Sequence, residues 1–134
     1  MIIPVILITV IHWIADFVLQ TDKEAKGKSK NWSDLLSHTV TYSFVWFIVG
    51  IVYMFFNIIW EDGYMEQNGT LLINCMVYFP LITFITHTTT DYFTSRLNSR
   101  LWAKGDVHNF FVSVGFDQVL HYVQLFLTYQ ILFN

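Results

Sequence analysis

The chain has 134 residues, of which 54% are hydrophobic and 13% charged, about half the charged share of an average soluble domain. This composition points to a membrane protein, for which no nucleic-acid partner is expected; the net charge of −3 is uninformative as a total, unlike its distribution. The one cysteine, Cys75, excludes an intramolecular disulfide framework.

In chain order, four apolar segments are long enough to cross about 30 Å of hydrocarbon at about 1.5 Å per residue. They cover roughly residues 2–20, 34–60, 70–93 and 109–133. The first has neither the basic start nor the small-residue cleavage site of a secretory signal, and it carries polar residues, so it is expected to be retained. A polar loop over 21–33 follows. The length of the second span implies either tilt or a cytosolic overhang. After the acidic loop EDGYMEQNG comes the third span, where Pro80 is expected to kink the helix. The loop 94–108 precedes the last span. No linker is long enough to set off a second domain, so the expected fold is all-α: an integral membrane four-helix bundle forming one domain over residues 1–134.

All seven basic residues lie in two of the three loops: Lys23, Lys26, Lys28 and Lys30 in the first, Arg96, Arg100 and Lys104 in the third. The middle loop carries Glu61, Asp62 and Glu66 instead. Basic loops stay on the cytoplasmic side. Loops 21–33 and 94–108 are therefore expected in the cytosol, with both termini outside a cytoplasmic membrane.

Each span contains one histidine and one aspartate four residues apart: His12 and Asp16, Asp34 and His38, His87 and Asp91, Asp117 and His121. On a helix this spacing places both side chains on one face, one turn apart. Their order reverses whenever the chain reverses direction, so every histidine is the deeper member and every aspartate the one nearer the cytosol. The halves also resemble each other, His12-Trp-Ile-Ala-Asp16 with His87-Thr-Thr-Thr-Asp91 and Asp34-Leu-Leu-Ser-His38 with Asp117-Gln-Val-Leu-His121. Such a repeat implies two helical hairpins related by a pseudo-twofold axis along the membrane normal. Any one pair, taken alone, reads more simply as a salt bridge or a cap, and Asp34, just after Asn31-Trp32-Ser33, is the first candidate for a cap.

Four ionised aspartates at membrane depth cost about 2.5–3.5 kcal/mol each, or roughly 10–14 kcal/mol together, before mutual repulsion. Two divalent cations would balance them, and a His/Asp donor set suits zinc, manganese or iron. A site for two ions is therefore expected, with a metal-free proton relay as the competing account. Gln20, one turn below Asp16, and Gln118, beside Asp117, stand where they can orient a ligand. Arg96, Arg100 and Lys104 recur every four residues and suit a phosphate, although lipid headgroup contact accounts for them equally well. Tyr42 and Tyr122 fit either ligand support or packing, and His108, which has no aspartate at this offset, fits an interfacial residue.

HWIADFVLQ with its lysine-rich loop, DLLSH, HTTTD and FDQVLH resemble a family of small bacterial and phage integral membrane proteins of unknown function. More remotely they resemble inner-membrane proteins described as metal-dependent hydrolases. The resemblance covers all four spans and implicates His12, Asp16, His38, His87, Asp91, Asp117 and His121. It implies hydrolysis, which the spacing alone does not. The expected activity is a metal-dependent hydrolase acting on a phosphoester or related small anionic substrate, with Asp34 as base and Arg96, Arg100 or a loop lysine binding substrate charge. An ion or metal transporter using the same His/Asp layer is the alternative, and a homodimer is left open.

Overall fold

The computed structural model describes residues 2–60 and 68–133; the acidic loop residues Glu61, Asp62 and Glu66 lie outside them. Among the described residues every regular element is helical. Helix α1 (Ile2–Trp13) runs into a π-helical turn, Ile14–Val18, and α2 (Asp22–Gly27) is a short helix on the first loop. Helix α3 (Trp32–Trp60) forms the second rod. Helix α4 (Asn68–Ile73), a second π-helical turn (Asn74–Tyr78) and α5 (Phe79–Ala103) are continuous and make the third, and α6 (Val107–Phe133) is the last.

Three of these rods are long and apolar enough to cross a membrane, over Trp32–Phe56, Gly69–Ala103 and Val107–Phe133, whereas the first, Ile2–Val18, is shorter. The reason is local. Within α1 the π turn closes with Leu19 N–H donating to Ile14 O at 3.0 Å, and helical structure then stops before Gln20.

The third rod departs from expectation in the opposite sense. It continues ten residues beyond the expected end at 93, so Arg96 and Arg100 lie on α5 and not in a loop. The link to α6 is a tight turn in which Gly105 takes φ +72°. Asp106 N–H donates to Leu101 O and Gly105 N–H to Trp102 O, both at 3.0 Å, the Schellman pattern that glycine permits. Pro80 lies two residues after the end of the π turn, whose wider hydrogen bonding, Phe79 N–H to Asn74 O, accommodates the carbonyls that proline leaves unpaired.

The interior is the reverse of a soluble bundle. Buried polar side chains outnumber buried apolar ones among the described residues, while Ile3, Phe44, Ile85, Phe111, Val119 and Leu127 face outward. Lipid as the surrounding solvent accounts for this distribution, because it removes the penalty on outward apolar groups and makes a lone outward polar group costly. An apolar cluster of Ile8, Tyr42, Trp46, Phe79 and Leu125 fills the half of the bundle beyond the histidines. There Gly50 lets α3 approach the second π turn, since a Cβ on it would fall 2.5 Å from the Cys75 carbonyl oxygen.

Candidate metal centre

Four rods deliver their polar residues to one level, as the reversing His/Asp order requires. His12, Asp16, His38, His87, Asp91, Asp117 and His121 are all buried and mutually packed. The π turn contains Asp16, and this local widening re-aims its carboxylate relative to an ideal helix.

Four donors converge from two hairpins: Asp16 Oδ1 from the first π turn, His38 Nε2 from α3, and His87 Nε2 and Asp91 Oδ2 from α5. His38 Nε2 lies 3.0 Å from Asp16 Oδ1, 3.3 Å from Asp91 Oδ2 and 3.1 Å from His87 Nε2. His87 Nε2 lies 3.4 Å from Asp16 Oδ1 and 3.7 Å from Asp91 Oδ2. A tetrahedron of donors at metal bond lengths of about 2.0–2.1 Å has edges of about 3.3–3.4 Å, so the observed separations bracket that of a bound ion. The same atoms form a hydrogen-bonded set when the ring nitrogens carry protons, with Lys28 Nζ as a further donor to Asp91 Oδ2 at 2.8 Å.

Asp16, Asp117 and His121 form a second group able to hold an ion, so Asp16 belongs to both. His121 Nε2 lies 3.3 Å from Asp91 Oδ1 and 3.4 Å from Asp117 Oδ1, yet neither His121 Nε2 nor Asp117 Oδ1 makes a hydrogen bond. The two groups are coupled through His87 Nδ1 and His121 Nδ1, 3.1 Å apart. That contact needs one proton. Of two neutral rings sharing it, one presents an Nε2 lone pair and the other an Nε2–H.

His12 lies in the layer but is committed elsewhere. The Gln118 carboxamide nitrogen donates to Asp16 Oδ2 at 3.2 Å and Asp117 Oδ2 at 3.1 Å, which turns its oxygen toward His12 Nε2 at 2.9 Å. A carbonyl oxygen only accepts, so His12 Nε2 carries the proton and Nδ1 accepts from the Tyr42 hydroxyl at 2.7 Å. His12 therefore supports the ligand set without offering it a lone pair. Tyr42 also stacks on His87, with centroids 3.8 Å apart and planes at 9°.

Asp34 is not brought to the layer. It occupies the first turn of α3, where Asn31 caps the helix: Asn31 Oδ1 accepts from Ser33 N–H at 2.7 Å and Asp34 N–H at 3.2 Å. The Asp34 carboxylate accepts from Asn31 Nδ2 at 2.8 Å and meets Lys23 at 3.5 Å. Its sequence counterpart Asp117 lies well inside α6 and is buried, so the two aspartates of the expected repeat stand in different settings. Arg96 also serves the fold. Its guanidinium lies 3.6 Å from the Tyr92 ring centroid and donates to Tyr92 O at 2.7 Å, beside a Trp32–Tyr92 stack. Arg100 is exposed outside the ligand groups.

The cation that does reach the layer is Lys28. Its Nζ donates to Asp91 Oδ2 at 2.8 Å, and the side chain is only 16% exposed. Burial works against the ammonium, but the Asp91 and Asp16 carboxylates outweigh it and raise its pKa above the usual lysine value. The first loop is folded to place it. Thr21 and Glu24 form a capping box at the start of α2, and Glu24 also accepts from Ser37 Oγ at 2.6 Å. Burial pushes the Glu24 carboxyl up, and the hydrogen bonds from Ser37 and Thr21 more than reverse that, leaving it below the ordinary value. Gly27 is required where this loop crosses α3, because a Cβ there would collide with the Asp34 carboxylate. The Thr-x-x-Glu pattern of the capping box was readable in the sequence; nothing in the spacing singled out Lys28.

A cleft of about 670 Å³ opens beside this layer, reaching Asp16, Asp117 and Gln118. Lys26, Lys28 and Lys30 line it together with Ser95 and Asn98.

The family model described as Protein of unknown function (DUF3307) matches residues 4–134. No curated protein and no solved structure matches the chain.

Proposed function

We propose that this chain, which belongs to the DUF3307 family, is a metal-dependent hydrolase embedded in a cytoplasmic membrane, acting on a phosphoester or related anionic bond. The observation that carries the reading is the tetrad of Asp16, His38, His87 and Asp91, spaced as an ion's donors and bordered by a lysine-lined cleft. The tetrad would hold the first ion, and Asp16, Asp117 and His121 a second. Bound ions would supply Lewis acidity toward the scissile group and acidify water at the site.

The chain's own groups supply the rest. Asp117 Oδ1, without a hydrogen-bond partner on a residue that lines the cleft, is placed to take a proton from the attacking water, the role expected of Asp34. Gln118 fixes the orientation of Asp16 and Asp117. Lysines of the first loop, in place of Arg96 and Arg100, attract substrate charge. Access is one-sided: Tyr42 packs against both His12 and His87, and Trp46 packs on Tyr42 beyond it.

The four-rod membrane topology belongs to the same proposal, with the basic loops cytosolic. Lysines of the first loop and Asn98 and Trp102 near the end of α5 line one cleft, which puts both basic segments at one end of the bundle. The test is turnover of a panel of phosphoesters by detergent-purified protein supplied with zinc or manganese. Asp117→Asn should abolish turnover while keeping the first ion. Metal-loaded protein inert toward the whole panel, or activity that survives chelation, would overturn the reading.

A further inference from the structure

The cleft holds more unpartnered polar groups than a solvated surface needs. Gln20 Nε2, Ser95 Oγ and Asn98 Oδ1 are all buried atoms without a hydrogen bond, and all three residues line it. Ser95 is only 8% exposed, one turn beyond Asp91 on the same face of α5, so its hydroxyl is a desolvated donor held ready beside the metal layer. A buried polar atom left unpaired costs about 1–3 kcal/mol, a cost that an incoming oxyanion would relieve at the two donors, Gln20 Nε2 and Ser95 Oγ. The lining also includes Lys26, Lys28 and Lys30, of which Lys26 pairs with Asp22 at 3.3 Å and Lys28 with Asp91 at 2.8 Å.

Part of the lining is of another kind. Phe17, Trp102 and Phe111 also line the cleft, yet they are 47%, 60% and 63% exposed. They come from three rods, α1's π turn, α5 and α6, and continue the outward apolar surface of the bundle. One side of the cleft is thus built for charge and the adjoining side for hydrocarbon. A water-soluble phosphate would use the first and leave the second without purpose.

We propose that this cleft binds the phosphate-bearing headgroup of a membrane lipid, with the phosphate among Gln20, Ser95 and the first-loop lysines and the acyl chains leaving along Phe17, Trp102 and Phe111. The assignment deepens the hydrolase reading by naming the substrate as a phospholipid of the leaflet that meets the basic loops. It rests on that reading for the fate of the lipid but not for its binding.

The test therefore uses metal-free protein in detergent. Binding of dioctanoyl phosphatidic acid, glycerol 3-phosphate and dioctanoylglycerol is compared through tryptophan fluorescence and calorimetry. Phosphatidic acid should bind at least about tenfold more tightly than either of the others, and Ser95→Val should weaken it by about tenfold. The surface pair Lys26→Glu with Lys30→Glu should weaken it as well, and serves where Ser95→Val perturbs helix packing. Equal affinity for glycerol 3-phosphate would reassign the cleft to soluble phosphates. Equal affinity for dioctanoylglycerol would reduce it to apolar adsorption, and failure of all three to bind would overturn it outright. Tight lipid binding with no turnover in the metal-loaded protein would remove the hydrolase reading and leave the lipid site standing.

Discussion

Replacing Asp16 by Asn keeps the volume of the side chain and removes the one carboxylate that both ligand groups share. A four-donor zinc site contributes about 10–16 kcal/mol. Loss of one donor in four is then worth roughly 2.5–4 kcal/mol in the tetrad, a weakening of about 10²–10³ there. The parent should not load its ions equally. With His87 Nε2 presenting its lone pair to the tetrad, the proton of the Nδ1–Nδ1 contact belongs to His87 and His121 Nε2 carries its own. A second ion must displace that proton and open the contact, which costs about 1–1.5 kcal/mol or more, so it should bind at least about tenfold more weakly. Calorimetric zinc titration of purified protein, with elemental analysis after dialysis against a weak chelator, measures both steps. Asp117→Asn should keep the tight step and lose the weak one, while Asp16→Asn should weaken both. A parent that stays metal-free in excess zinc, or an Asp16→Asn protein that binds as the parent does, would refute the reasoning.

Three further outcomes follow from the same geometry. Lys28→Met removes the ammonium 2.8 Å from Asp91 and should destabilise the metal-free protein by about 3–5 kcal/mol; the loss should shrink once zinc replaces that charge, and equal losses in chelator and in zinc would argue against a shared role. Gly50→Ala forces α3 away from the Cys75 carbonyl and should cost about 1–3 kcal/mol, so an unchanged unfolding midpoint would contradict the close crossing. The Glu24 carboxyl lies below its ordinary pKa, so its contribution is present above the unfolded value of about 4.3 and lost as pH falls through the lower folded one. Hydrogen exchange over residues 21–31 should therefore rise only below about pH 4, and Glu24→Gln should abolish that step; a midpoint near neutrality would point to a different group.

What the sequence made legible was periodic. The four-residue offset between His and Asp, with its reversal from rod to rod, depends only on helical geometry and chain direction, and it placed seven of the eight chosen residues in one layer. The eighth, Asp34, failed because an identical offset at a helix start serves capping, and Asn31 three residues earlier decided which. His12 reached the layer yet lost its ligand role to a tautomer set by Gln118 and Tyr42, partners 106 and 30 residues away in the chain. Offsets carry no such information. Lys28, Ser95 and Asn98 were missed for a related reason: each is unremarkable in its own segment and acquires meaning only when the loop folds over α5. The length of α5 was hidden by its composition, since a polar helical end following an apolar stretch reads as a loop.

The tetrad takes two donors from each half of the molecule, Asp16 and His38 from the first hairpin and His87 and Asp91 from the second. Neither half alone can close it. Since lipid offers apolar helices little reason to prefer one another over the bilayer, an ion seated there would act as a clasp across the seam. The apolar cluster and the Lys28–Asp91 pair already join the halves in the metal-free protein, so the ion would tighten an existing closure, and starvation for it would leave the seam looser rather than the halves apart.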